Sequence, residues 1–161
     1  MADAVSRSRT SAGMLLYRRT PEGVEILLGH PGGPYFEDKD VGAWSIPKGQ
    51  VEDGESLLSV AKREFSEETG HVVGSNVRLL ELGSIRQRGG KIVHAWAFEG
   101  DLDPAEARSN TFRMEWPPRS GIFIEVPELD QVAWFTPEQA RVAMNPAQVA
   151  LIDALLERLD A

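Results

Sequence analysis

Two apolar runs open the pattern. Thr10 to Arg19 (TSAGMLLYRR) and Val24 to His30 (VEILLGH) flank Thr20-Pro21-Glu22-Gly23. Apolar runs joined by a Pro- and Gly-containing break predict a β-hairpin. Pro31 to Gly42, rich in Gly, Pro and Asp, predicts a loop near the mouth of the site. Trp44 to Gly49 (WSIPKG) reads as a short strand ending in a Pro-Gly turn. The period then becomes helical. At about 100° per residue, Leu57, Leu58, Ala61 and Phe65 share one arc. Asp53 is the best N-cap candidate, with Ser56 three residues on, and Gly70 closes the helix. Val77 to Arg88 and Ile92 to Gly100 read as strands joined by Gly89-Gly90-Lys91. Asp101 to Gly121 reads as irregular, with a break at Trp116-Pro117-Pro118. Ile122 to Val126 and Val132 to Phe135 are short strands. Pro137 to Met144 is a short helix capped by Thr136. Pro146 to Leu159 is a longer one, with Val149, Ile152, Leu155, Leu156 and Leu159 at helical spacing. Interleaved strands and helices predict an α+β fold or three-layer packing around a central sheet.

The acids of the first helix break its hydrophobic pattern. Glu64, Glu67 and Glu68 lie within one turn, so their side chains converge. Glu68 projects into the middle of the apolar arc, Glu64 lies at its edge, and Glu67 lies further round. Ser56, Ser59, Lys62 and Ser66 already fill the solvent side. Carboxylates rarely enter a buried face unpaired. Crowded together, they call for a divalent cation, which takes oxygen ligands. Strand, loop and acidic helix in sequence, with Lys48 and loop amides near the helix start, can hold phosphate oxygens while carboxylates hold a metal. Lys48 either touches phosphate or is solvated.

Arg63 stands four residues before Glu67, where a salt bridge can orient that carboxylate. Glu55 lies about half a turn from Glu64 in angle and reads as a stabiliser of the helix start. Arg86, Arg88 and Lys91 cluster at the second hairpin. They either bind further phosphates or form a solvated turn.

Composition narrows the class. With 161 residues, 42% hydrophobic and 26% charged, the chain is expected to form one globular domain over 1–161, with Met1 to Arg9 frayed. A net charge of -8 argues against sequence-independent nucleic-acid binding and against an anionic membrane surface. There is no Cys, hence no disulfide framework and no thiol chemistry. No long apolar run marks a signal peptide or a membrane span, so a cytoplasmic protein is expected. A homodimer is left open.

Gly49 to His71 resembles the Nudix box, G-x5-E-x7-R-E-U-x-E-E-x-G-U, where U is a bulky apolar residue. Gly49, Glu55, Arg63, Glu64, Phe65, Glu67, Glu68 and Gly70 match; His71 departs from the apolar last position. Ser11-Ala12-Gly13 and the Trp134-Phe135 strand are also similar to the family, but only the box is specific. The resemblance implies a mixed sheet sandwiched between helices. It implies metal-dependent hydrolysis of a nucleoside diphosphate linked to another moiety, with Mg²⁺ or Mn²⁺ as cofactor. By the same resemblance Glu64, Glu67 and Glu68 are metal ligands and one of them serves as general base. A backbone carbonyl near Lys48-Gly49 completes the shell. A later acid, Glu125 or the better placed Glu128, joins it.

Subfamily markers are missing. Diadenosine polyphosphate hydrolases tend to carry a Tyr past the box, but Tyr17 and Tyr35 both precede it and Ala95 stands at that place. No Pro between Pro47 and Pro104 provides the mark of ADP-ribose hydrolases. The expected activity is cleavage of a diphosphate linkage in a nucleoside or dinucleoside polyphosphate. The alternatives are a diphosphoinositol polyphosphate hydrolase and a non-catalytic nucleotide sensor.

Overall fold

One strand, β1, organises the molecule. A computed structural model describes residues 9–160, so the fraying expected of Met1 to Arg9 lies, apart from Arg9, outside the described residues. β1 (Thr10–Thr20) pairs antiparallel with β2 (Gly23–Pro31), as the hairpin pattern predicts. Its first residues pair with β3 (Lys48–Gln50), and its other edge runs parallel to β5 (Ile92–Glu99). The main sheet has the order β4-β5-β1-β2-β8, with β3 on β1; β4 is Leu80–Arg86 and β8 is Leu129–Phe135.

Alternation along β1 divides the core in two. Ala12, Met14 and Leu16 face α1 (Leu57–Thr69), where Val60, Ala61 and Phe65 are fully buried. Leu15 and Tyr17 face the other way, towards α2 (Pro137–Ala143) and α3 (Ala150–Asp160), which contribute Ala140, Leu151, Ile152 and Leu155. Helices thus cover both faces of a mixed sheet, the α+β sandwich that the pattern predicts. Thr136 caps α2 through a reciprocal capping box with Gln139. No helix among the described residues is long and apolar enough to cross a membrane.

Four local expectations differ. The N-cap of α1 is Ser56, not Asp53. Gly54 turns with φ 85, which delays the helix, and the Ser56 hydroxyl accepts from the Ser59 amide at 3.1 Å. The strand expected over Trp44 to Gly49 is shifted. Trp44 and Ser45 make single bridges, and the ladder falls on Lys48–Gln50, where a turn was expected. This approach needs Gly13, whose Cβ would lie 2.6 Å from the Pro47 carbonyl oxygen. Third, Thr111–Glu115 inside the supposed irregular stretch is a strand, β6. It pairs with β7 (Phe123–Pro127) as a separate ribbon, and the Trp116-Pro117-Pro118 segment belongs to its connection. Fourth, the C-terminal helix is split, with a 3-10 turn at Pro146–Gln148 before α3. Gln148 is buried there. Its Oε1 accepts from the Ile46 amide, and its Nε2 donates to the Ser45 hydroxyl and to Gln87 Oε1.

The loop after β2 divides. Its first residues lie beside Glu128, whose carbonyl accepts from the Gly32 amide, and its end packs on α2, where Gly42 and Trp44 donate their amides to Val142 and Ala143; none of it lines the acidic cavity described below. His30 anchors it. Nδ1 faces Asp130 Oδ1 at 2.9 Å and Nε2 faces the Lys39 carbonyl at 2.5 Å.

Candidate active site

Ser11, Lys48, Gly49, Glu64, Glu68 and Glu128 line a cavity of about 600 Å³ where α1, β1 and β3 meet. The helix places the acids as the wheel predicts. Glu68 sits among the packed residues and is only 4% exposed. Glu64 is next to it, against β3. A Cβ on Gly49 would lie 2.1 Å from Glu64 Cδ, so only glycine lets strand and carboxylate come together. Glu128 arrives from a different part of the chain. It is the single residue between β7 and β8, held by its amide on the Asn110 carbonyl and its carbonyl on the Gly32 amide.

The electrostatics follow from this crowding. Burial pushes the Glu68 carboxyl up to about 9. A hydrogen bond with Glu64 and the charges of Glu64 and Glu128 add to the shift, and Lys48 opposes it. Burial also raises Glu128, with the charge of Glu64 in support. Lys48 moves the other way. Burial and the nearby Lys91 lower it, against the pull of Glu68, Glu128 and Glu64. Without a cation, then, the site accommodates Glu68 by keeping it protonated.

Arg63 binds the acids together from outside. Its closest partner is Glu55 at 2.7 Å, followed by Glu64 at 3.5 Å and Glu67 at 3.8 Å. The expected bridge to Glu67 is present but is the longest of the three. Glu55 also accepts from the Glu52 amide at 2.8 Å, which makes it the brace of the helix entry. Glu67 stays 43% exposed and outside the cavity lining. Lys91 lines the cavity, whereas Arg86 and Arg88, at the same hairpin, are exposed and do not. Glu125 instead accepts from the Thr111 hydroxyl on the β6–β7 ribbon. Ser11 and Gln50 were not singled out for the site, yet both line it. Their signal is faint: a polar residue opening an apolar strand, and a box position the motif leaves free. His71 packs its ring against Phe65 and Phe98, at centroid distances of 6.0 and 6.3 Å. An aromatic contact thus takes the place of the apolar box residue.

The donors fit a hard cation. Glu64, Glu68 and Glu128 offer only oxygen, and their mutual repulsion is what a divalent ion would relieve. As the side chains lie, no three His, Cys, Asp or Glu among the described residues form a ready metal site.

Comparison with known proteins now assigns the class. The NUDIX domain model matches residues 7–155, and the chain belongs to that family. It is 36% identical to an 8-oxo-(d)GTP phosphatase of Mycolicibacterium smegmatis over 87 residues, 52% of this chain and 25% of that protein. It is 53% identical to an RNA pyrophosphohydrolase of Novosphingobium aromaticivorans over 38 residues, 24% of each. The chain thus spans about a quarter of the length of these two relatives. Among solved structures, an Ap4A hydrolase of C. elegans in a binary complex superposes with a TM-score of 0.67 at 20% identity. That match covers 93% of this chain and 98% of the other, and it shows a shared fold.

Proposed function

We propose that the chain is a Mg²⁺- or Mn²⁺-dependent pyrophosphohydrolase. It cleaves a diphosphate linkage in a nucleoside or dinucleoside polyphosphate by attack of water on phosphorus. The observation that supports this most is the meeting of Glu64, Glu68 and Glu128 with Lys48 and Lys91 in one cavity, in a family whose relatives are named for acting on phosphorylated nucleotides and RNA.

Each residue has a part. Glu64, Glu67, Glu68 and Glu128 would hold the cation through carboxylate oxygens, with the Gly49 carbonyl as a further donor. When bound, a divalent ion screens phosphate charge and acidifies coordinated water. To serve as a ligand, the Glu68 carboxyl would have to be ionised. Lys48 and Lys91 bind the phosphate oxygens that flank the scissile bond. Arg63 positions Glu64 and Glu67, and one of Glu64, Glu67 and Glu68 also serves as the general base for the attacking water.

The test is a turnover screen of nucleoside polyphosphates, dinucleoside polyphosphates, diphosphoinositol polyphosphates and sugar nucleotides, run with Mg²⁺ in ¹⁸O-water. Label in a phosphate product from a nucleotide polyphosphate supports the proposal and locates the attack. Binding of these ligands with no product supports the sensor instead.

A further inference from the structure

At the far end of β1 the charge reverses. β1 and β5 run in parallel, with Ser11 beside Val93 and Tyr17 beside Glu99. Their beginnings lead to the acidic cavity. Their ends, Tyr17, Arg19 and Glu99, line a second cavity of about 240 Å³. The strand from Ser11 to Arg19 separates the two by roughly 26 Å at the usual rise per residue. Arg78, just before β4, and Arg158, in the last turn of α3, complete the second cavity. Guanidinium groups from three parts of the fold thus share one cavity with a single carboxylate, in a chain of net charge -8.

These arginines are incompletely matched. Arg19 leans on Glu99 at 3.5 Å. Arg158 is fixed by its Nε, which donates to the Glu81 carbonyl at 3.0 Å. This leaves its two terminal NH₂ groups for another acceptor. Arg78 has no hydrogen bond or ion pair among the described residues. Below them, the buried Tyr17 is held protonated by burial and by the charge of Glu99. The negative end of a helix dipole does not account for the cluster, because α3 presents its C-terminus here and favours Arg158 alone.

Planar guanidinium forks match the oxygens of a phosphate group. Three arginines and one glutamate leave two positive charges, the complement of a phosphate dianion. The cavity is less than half the size of the acidic one, so it suits one phosphate group rather than a nucleoside with a polyphosphate chain. We infer that this cavity is a second, non-hydrolytic anion site that takes a phosphate dianion, either the free ion or the phosphate of a monoester. The inference does not depend on the hydrolase reading.

The test is a titration of the metal-free full chain with inorganic phosphate, and separately with AMP, at ionic strength held constant with chloride. Amide and arginine Nε–H resonances are followed by NMR. Saturable shifts at Arg78, Arg158 and Glu99 are expected. Arg78→Ala should weaken binding at least about tenfold with an unchanged melting temperature. Arg113→Ala, which removes an exposed arginine outside this cavity, should have no effect. A response to phosphate alone assigns the free ion, and a response to both ligands assigns the monoester as well. Shifts that never saturate, shifts confined to Lys48 and Lys91, or an Arg78→Ala protein that binds like wild type would overturn the assignment.

Discussion

The two faces of the sheet are built on opposite principles. α3 covers its face with Leu151, Ile152 and Leu155, all 0–1% exposed, and no acid enters that surface. α1 anchors itself with Val60, Ala61 and Phe65 just as tightly, yet carries Glu68 into the same buried layer. Apolar burial stabilises both helices. On the α1 face part of that stabilisation is offset by desolvating a carboxyl, which the cation-free protein keeps neutral near pH 7. One face therefore serves stability. The other accepts a local conflict with the hydrophobic pattern, and the conflict marks the site.

Substitutions should separate these roles. The largest effect is expected from Gly49→Ala. Its Cβ would displace the Glu64 carboxylate, and turnover should fall at least about a hundredfold in steady-state assays. A melting temperature close to wild type would show that the loss is local. Ile152→Ala on the opposite face should do the reverse. It should cost about 2–5 kcal/mol in urea unfolding and leave kcat of the folded protein unchanged. A fall in kcat there would break the comparison.

Each face also holds a buried group whose pKa is raised, Glu68 on one and His30 on the other, and both should make stability fall as pH rises, Glu68 by a growing cost and His30 by a fading gain. Glu68 keeps its proton up to about 9, while an ordinary carboxyl titrates near 4.5. Across that window the unfolded chain binds fewer protons, so cation-free stability falls as pH rises. Glu68→Gln should remove this slope and gain on wild type with increasing pH. His30 is also raised, for a different reason. Burial opposes its charge, but the Lys39 carbonyl and Asp130 outweigh burial. Both ring nitrogens face acceptors, so both must donate and the ring is charged. Its contribution is fully present below 6.5 and is lost as pH rises through the raised value. His30→Gln should therefore lose stability at low pH, with a deficit that shrinks as pH increases. Urea unfolding across this range checks both slopes. Thr136→Ala, which removes the capping box of α2, should cost only about 1 kcal/mol and leave activity unchanged.

Much of this division is legible in the chain. The helical wheel alone sends Glu68 inward, and Gly70 ends α1 where expected, with φ 81. The failures are contacts between distant segments. Asp53 is as good a cap residue as Ser56 until Gly54 turns the chain between them. The ribbon of β6 and β7 was hidden by Pro117 and Pro118. These read as a break, although Phe112 and Met114 alternate to oppose Val126 and Ile124. Lys91, Arg86 and Arg88 are equivalent on paper, and only the sheet register brings Lys91 to the cavity. Glu128 could be named a candidate, but its arrival depends on a one-residue link between strands of two different sheets.

The most direct measurement of the central claim is kcat of Glu68→Gln with saturating Mg²⁺, on whichever diphosphate substrate the screen identifies, alongside its cation-free melting temperature. The account expects turnover to fall at least about a hundredfold while the melting temperature stays at or above wild type. Turnover within about twofold of wild type would contradict it, because the buried acid would then have no part in catalysis.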